Sequence, residues 1–103
     1  MNTLRGAADF RRVLSTGRRS RQGAITVAGA AGSEGLARVG LVVRRDVGNA
    51  VRRNRAKRRL RHALSEVSLE QGMDYVIMAE RQVIEASFDE LVAWLRRAME
   101  SVR

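Results

Sequence analysis

Apolar residues recur along this chain at two spacings, one helical and one extended. Residues 7–15 predict a short helix, because their apolar positions lie three and four residues apart: Ala7, Phe10, Val13 and Leu14. Near the other end, Ser87 and Glu90 have the spacing of a capping box, which predicts the start of another helix. An apolar stripe with helical spacing follows: Phe88, Leu91, Val92, Leu95, Met99 and Val102.

Three further runs have the composition of β-strands. Residues 24–30 and 37–43 are rich in β-branched and small apolar residues. Residues 74–79 are almost wholly apolar, which predicts a central strand. The turn-rich residues 31–35 predict a hairpin loop between the first two runs. Residues 18–22 are interpreted as a further short, irregular strand.

A long helix is predicted from about residue 49 to residue 66, with Asn49 as its N-cap. At about 100° per residue, one stripe of this helix is apolar: Ala56, Leu60, Ala63, Leu64 and Val67. The opposite side is basic and contains Arg52, Arg55, Arg58, Arg59 and Arg61. We therefore expect one face to pack on a sheet and the other to point outward.

The resulting order is helix, strands, basic helix, strand, helix. Runs of strands with interspersed helices predict the α+β class, as a two-layer α/β sandwich of one sheet with helices packed against it. We expect a single domain over residues 1–103, because the chain has no proline, repeat or low-complexity linker.

Composition excludes several kinds of chemistry. The chain has no cysteine and one histidine, His62, which excludes disulfides, thiolate or multi-histidine metal sites and a conventional serine triad within it. No apolar run approaches the roughly 18 residues of a membrane span, and the first ten residues lack the apolar stretch of a signal peptide. We expect a cytoplasmic protein.

Charge is distributed unevenly along the chain. The 20 basic and 11 acidic residues give a net charge of +9. Residues 1–62 hold 16 basic and 3 acidic residues, net +13, whereas residues 63–103 hold 4 basic and 8 acidic residues, net −4. A basic face formed by the first part of the chain indicates a polyanion as partner.

The charge is densest in residues 52–61, of which seven are basic, and residues 47–65 contain no acid. Like charges at positions i and i+4, such as Arg55 and Arg59, repel by about 0.2–0.5 kcal/mol per pair. A merely solvated face usually alternates its charges, and a membrane-surface helix needs larger apolar residues opposite the charges. Charge favours nucleic acid but does not separate DNA from RNA.

The same stretch carries a specific motif. Residues 47–64 read VGNAVRRNRAKRRLRHAL, which closely resembles the GNAV-x-RNR-x-KR-x-(L/I)-R signature of the bacterial ribonuclease P protein component. Eleven positions match with fixed spacing: Gly48, Asn49, Ala50, Val51, Arg53, Asn54, Arg55, Lys57, Arg58, Leu60 and Arg61. The resemblance covers nearly the whole chain, including residues 38–41 before the motif and 74–77 after it.

The resemblance implies a fold, partners and a division of labour. It implies a left-handed β-α-β crossover around the basic helix, against the general right-handed rule. The implied partners are the catalytic RNA of ribonuclease P and precursor tRNA, whose 5′ leader the holoenzyme removes. The RNA would perform the hydrolysis with magnesium, and the protein alone would bind no cofactor or metal. Neither membrane nor DNA is expected as a partner.

The resemblance also implies site residues. The RNA-binding set lies in and before the basic helix: Arg45, Asn49, Arg52, Arg53, Asn54, Arg55, Lys57, Arg58 and Arg61. The leader would lie in a cleft between the first helix and the sheet, lined by Phe10, Leu14 and Val27. Phe10 is the main candidate for stacking on a leader base, with a core position as its alternative. No residue is expected to be catalytic.

Other functions are weighed against this one. A ribosomal or other structured-RNA binding protein with no enzymatic role would also have a basic helix. A DNA-binding module calls for a helix-turn-helix or a dimer seam, whereas strands flank this helix. An independent nuclease needs clustered carboxylates or a histidine pair, and the acids of the basic part, Asp9, Glu34 and Asp46, fall on different predicted elements.

Overall fold

The strands and helices follow one another in the predicted order. A computed structural model describes residues 2–32 and 35–103. Its elements are β1 (Asn2–Thr3), α1 (Ala7–Thr16), β2 (Arg18–Gln22), β3 (Ile25–Ala31), β4 (Arg38–Val43), α2 (Ala50–Leu64), β5 (Met73–Ala79) and α3 (Phe88–Ser101). Short 3-10 turns over Arg45–Val47 and Arg81–Ile84 precede α2 and α3. Every predicted helix and strand is confirmed to within two residues, and β1 is an additional strand too short to show a pattern.

The five strands form one sheet in the order β1-β4-β5-β3-β2. β5 pairs with β3 antiparallel and with β4 parallel, so its central position is confirmed. The hairpin predicted for residues 31–35 is wrong, because β3 and β4 lie on opposite sides of β5. A strand buried on both faces gains most from a neighbour on each edge. Ser33 and Glu34 of that connection lie outside the described residues.

The basic helix α2 lies within a crossover between two parallel strands. β4 ends at Val43, α2 follows, and β5 then pairs with β4 in parallel from Arg38–Asp74 to Val43–Ala79. This is the β-α-β unit that the resemblance implies, and its left-handed sense stays a prediction. No helix of the described residues is long and apolar enough to cross a membrane.

Side chains that alternate along the strands build a core on each face of the sheet. The larger core lies under α2 and α3 and includes Ile77 of β5, Leu60 of α2 and Leu95 of α3, all fully buried. The smaller core lies under α1 and consists of Leu4, Val13, Ala28 and Val76, with half-buried residues around them. The α+β sandwich is confirmed, with α1 on one face of the sheet and α2 and α3 on the other.

Local hydrogen bonds define where the two long helices begin. The Asn49 side chain accepts a hydrogen bond from the backbone N–H of Arg52 at 3.0 Å, which confirms the predicted N-cap. Ser87 and Glu90 form the predicted capping box, with both side chains accepting backbone N–H groups at 3.1 Å. Each cap contributes about 1 kcal/mol. The first turns of α2 and α3 are therefore held at fixed positions.

A buried carboxylate ties α1 to the sheet. Asp74 is 1% exposed and accepts two hydrogen bonds from Arg38, at 2.9 and 2.7 Å, and one from Arg12. Arg12 also donates to the Ala31 carbonyl at 2.8 Å. The bonds from Arg38 lower the pKa of Asp74, and they outweigh the effect of burial, which raises it. α1 is thus attached to the sheet by the ion pair between Arg12 and Asp74 and by the apolar packing of Val13.

Candidate nucleic-acid interface

The outward face of α2 presents several basic side chains together with one amide. Asn54, Arg55, Arg58 and Arg61 are exposed, and Lys57 is half-buried. A depression on this face is lined by Val51, Asn54, Lys57, Arg58 and Arg61. Within residues 2–32 and 35–103, no acidic side chain forms a salt bridge with any basic residue of α2. This face can accept phosphate groups without first breaking an ion pair.

Two arginines at the start of α2 bind the turn that precedes the helix. Arg52 donates from Nε to the Val47 carbonyl, and Arg53 donates from Nη1 to the Gly48 carbonyl, both at 3.1 Å. Gly48 has φ +134°, a conformation that side chains rarely adopt, and its missing Cβ leaves room for Arg52. These bonds orient the two guanidinium groups, and each keeps further N–H donors available for a partner.

Arg59 departs from its predicted outward position. It donates to the carbonyls of Val83 and Ile84, both at 2.7 Å, and to that of Ala86. Its place on the helix explains this, because it lies three residues after Ala56 and four before Ala63, both buried, and so borders the apolar stripe. Arg59 therefore fastens α2 to the segment before α3, and its assignment to the outward basic side is wrong.

Beside α1, on the same face of the sheet, lies a row of side chains that this helix does not fully cover. Thr26 and Val42 are both in register with Met78, so these three side chains form one row across β3, β5 and β4. Val42 is exposed and Thr26 and Met78 are half-buried, whereas Val13 of α1 packs on the next row, which is buried. We call this row and the flanking side chains Phe10 and Leu14 the sheet groove.

Phe10 is partly a core residue and partly a surface residue, so it combines the two alternatives that the sequence left open. Its ring rests on β4, where a Cβ at Gly40 would come 2.4 Å from the ring's Cζ atom. It also packs against the smaller core, as does Leu14, and both side chains stay half-buried. Phe10 is thus anchored on one side and open to the groove on the other.

Val27 does not line this groove. It is fully buried in the larger core, on the face of the sheet opposite α1. Adjacent strand residues point to opposite faces, so its neighbour Thr26 faces the groove instead. The assignment of Val27 to a cleft between α1 and the sheet is wrong, because its side chain lies on the other face. Thr26, Val42 and Met78 are the residues that the sequence analysis missed, and strand alternation is the signal that indicates them.

A cavity joins the groove side of the protein to the basic helix. β1 pairs only with Arg38 and Val39, so the rest of β4 has no strand partner on that edge within the described chain. A cavity of about 210 Å³ lies there, lined by Thr3, Leu4, Phe10, Val39, Leu41, Lys57, Arg61 and Leu64. The candidate stacking residue Phe10 and two cations of α2 therefore share one opening.

The groove has a charged rim formed by two arginines and two acids. Arg21, in register with Thr26, donates to Glu80 at 2.9 Å. Arg44 lies 3.8 Å from Glu80 and 3.7 Å from Asp46. The arginine side chains are 65% and 59% exposed, so solvent and a polyanion can both reach them. The acids partly neutralise this rim, unlike the outward face of α2.

The remaining residues that the sequence singled out are His62, Asp9, Arg45 and Asn49. His62 is exposed at the end of α2, next to Phe88 of α3. Asp9 lies 3.6 Å from Arg12 and 3.7 Å from Arg38. In the part of the chain that the structure describes, no three His, Asp or Glu side chains are grouped so that they could hold a metal ion. Arg45 and Asn49 are exposed just before α2.

Comparisons with known proteins agree on one family. A family model described as Ribonuclease P matches residues 1–103. The Ribonuclease P protein component of Chloroflexus aggregans is 40% identical over 95% of this chain and 75% of its own length. That of Paramagnetospirillum magneticum is 36% identical over 99% of this chain and 83% of its own. The RNase P protein from Thermotoga maritima has the same fold, with a TM-score of 0.85 at 23% identity, covering 100% of this chain and 99% of that one.

Proposed function

The chain belongs to the ribonuclease P protein family, and from this premise we propose that it binds the catalytic RNA and the 5′ leader of precursor tRNA. Removal of the leader is then the reaction that it assists. The observation that carries this proposal is the shared opening at the edge of β4. There Phe10, beside the sheet groove, meets Lys57 and Arg61 of the basic helix.

The outward face of α2 is the contact for the catalytic RNA. Its cations lie along one side of a rigid helix and have no acidic partners among the described residues. Binding to phosphates releases counterions and removes the repulsion between neighbouring arginines. Arg55, Arg58 and Arg61 supply most of this charge, and the amide of Asn54 supplies hydrogen bonds beside them. Arg45, Asn49, Arg52 and Arg53 extend the contact at the start of the helix.

The sheet groove is the binding site for the single-stranded leader. Its floor offers apolar contacts from Val42 and Met78, which suit unstacked bases. Phe10 offers a ring edge or face for stacking, and Arg21 on the rim suits a backbone phosphate. In a duplex the faces of the bases are stacked on one another and cannot contact these side chains, so the sheet groove favours a single strand.

The hydrolysis belongs to the RNA with its magnesium ions, and the protein contributes position. Of the acids of its basic part, the two that the structure describes are already engaged with arginines: Asp9 with Arg12 and Arg38, and Asp46 with Arg44. Cations on two sides of β4 lower the repulsion between the catalytic RNA and the precursor. We expect the protein to tighten precursor binding and to lower the magnesium concentration that the RNA needs.

The test compares precursor tRNA with mature tRNA in the reconstituted particle. The chain is mixed with a ribonuclease P RNA, and the affinity for both tRNAs is measured with Phe10→Ala and with unmodified protein. Phe10→Ala should weaken precursor binding by about 1–3 kcal/mol and leave mature tRNA unchanged, because only the precursor has a leader. Arg97→Gln, at an exposed position on α3, serves as the control.

Two results would contradict the proposal. If the chain binds ribosomal RNA as tightly as ribonuclease P RNA and leaves leader removal unchanged, it is a structured-RNA binding protein without this enzymatic role. If Phe10→Ala weakens both tRNAs equally, the sheet groove does not hold the leader.

A further inference from the structure

Two aromatic rings lie at the margin of the basic face, and none of the roles above uses them. The ring centroids of His62 and Phe88 are 5.5 Å apart, and their planes meet at 69°, an edge-to-face arrangement. His62 is exposed, and Phe88 is 37% exposed although it is a large apolar residue. Phe88 is not needed to fill the core, since Leu91 and Leu95 of the same helix do so with no exposed surface.

The protein holds this pair in place from both sides. Arg59, one turn before His62, binds the carbonyls of residues 83, 84 and 86, which lead directly into α3. The capping box of Ser87 and Glu90 then sets the first turn of α3, where Phe88 is the first residue. Both anchors are hydrogen bonds from other side chains to the backbone, so the helix segments that carry the two rings are held without help from the rings.

The pair is continuous with the phosphate-binding face of α2. His62 follows Arg58 by four residues and Arg55 by seven, so all three lie on one side of the helix. Arg55 and Arg58 are exposed and unpaired by acids of the described chain. Rings next to free guanidinium groups are the combination that binds unpaired nucleotides, since cations take the phosphates and a ring takes the base.

We propose that His62 and Phe88 form a stacking site for an unpaired base of the RNA that α2 binds. The proposal rests on the proposed function, because it assumes that α2 lies against RNA. In this arrangement the arginines of α2 contact phosphates, and the ring pair contacts a base. RNA presents such bases in loops and bulges, so the pair directs α2 to an irregular part of the RNA rather than to a plain duplex.

The salt dependence of binding separates a stacked base from a phosphate contact. In Phe88→Leu the apolar volume remains and the ring is lost, so affinity for ribonuclease P RNA should fall about 10-fold. The slope of log K against log salt should stay the same, because no phosphate contact is lost. Arg58→Gln should instead reduce that slope by about 0.7–0.9. Phe88→Trp should restore affinity, and Leu36→Ala, at another exposed apolar residue, should change nothing.

Chemical probing of the RNA gives a second readout. One unpaired nucleotide should be protected by unmodified protein and become reactive with Phe88→Leu. His62→Ala should expose the same nucleotide, which keeps the test valid if Phe88→Leu folds poorly. Unchanged affinity and protection in both variants would overturn the stacking site while leaving the role of α2 intact. A failure of unmodified protein to bind ribonuclease P RNA would overturn the proposed function itself.

Discussion

The ring of Phe10 lies against the backbone of Gly40 so closely that a Cβ at residue 40 would come 2.4 Å from Cζ and 2.6 Å from Cε1. The absence of a side chain at this one position of β4 therefore sets how deeply the ring sits. From there Phe10 faces both the sheet groove and the cavity at the β4 edge. A backbone position thus controls the principal candidate for leader stacking.

Gly40→Ala should displace the Phe10 ring and weaken binding of precursor tRNA by about 1 kcal/mol, a part of the value of one stacked base. Mature tRNA should bind as before, because it has no leader to contact the ring. Equilibrium binding of the two tRNAs to the reconstituted particle measures the difference. Equal affinity of Gly40→Ala and unmodified protein for precursor would show that the ring's depth is irrelevant to the leader.

Arg58 and Arg59 are adjacent in sequence and should have opposite roles. Arg58→Ala removes an exposed, unpaired cation, so the free energy of unfolding should change by less than about 0.5 kcal/mol, while RNA affinity falls. Arg59→Ala deprives three carbonyls of their donor, which should cost about 1–3 kcal/mol of stability. Urea unfolding and RNA titration of both variants test this, and equal stability of the two would contradict the structure.

Glu80→Gln should strengthen leader binding. The carboxylate accepts from Arg21 at 2.9 Å and lies 3.8 Å from Arg44, so its removal leaves two exposed guanidinium groups without that partner. These exposed pairs contribute only about 0–1 kcal/mol to stability, and the melting temperature should hardly change. The slope of log K against log salt for precursor binding should become steeper. Weaker binding of Glu80→Gln would mean that Glu80 itself contacts the precursor.

The buried carboxylate Asp74 should make stability depend on pH in the acid range. In the folded protein the hydrogen bonds from Arg38 hold the pKa of Asp74 below its ordinary value. A lowered pKa means that the stabilisation is complete above the unfolded value and is lost as pH falls through the folded value. Urea unfolding at pH 6 and pH 3 should show this loss in unmodified protein. In Asp74→Asn the protein should be less stable at pH 6, and the difference between the two pH values should shrink.

Purified protein without RNA should not cleave precursor tRNA at any magnesium concentration. Added to the catalytic RNA, it should lower the magnesium concentration required for cleavage, since its cations replace part of the screening that magnesium provides. A titration of magnesium with RNA alone and with the particle measures this shift. Site-specific cleavage by RNA-free protein that a point mutation abolishes would transfer the chemistry to this chain.

Local features of the structure could be read from the sequence because their causes are local. The Asn49 cap and the Ser87–Glu90 capping box depend on side chains within three residues of the atoms they bind. The outward position of Arg55, Arg58 and Arg61 was likewise predictable, because the apolar stripe of a helix determines which side faces away from the core. Predicting these features did not require knowing which elements pack against each other.

Other features depend on contacts far apart in sequence. Strand alternation puts Val27 and Thr26 on opposite faces of the sheet, but which of the two faces α1 covers depends on tertiary packing. The carbonyls that bind Arg59 come from residues 24 to 27 positions later. The insertion of β5 between β3 and β4 also follows from tertiary pairing, and it replaces the hairpin that turn residues suggest.

The short β1 strand pairs with only the first part of β4 and leaves the rest of that edge without a strand partner among the described residues, which has a consequence for how two RNA chains are spaced. Phe10 reaches this edge from one face of the sheet, and Lys57 and Arg61 reach it from the other. RNA held by Phe10 and RNA held by Lys57 and Arg61 would therefore approach each other at this edge, with β4 between them. Because the strand is rigid, the edge of β4 would then keep substrate and catalyst at a constant distance without a conformational change.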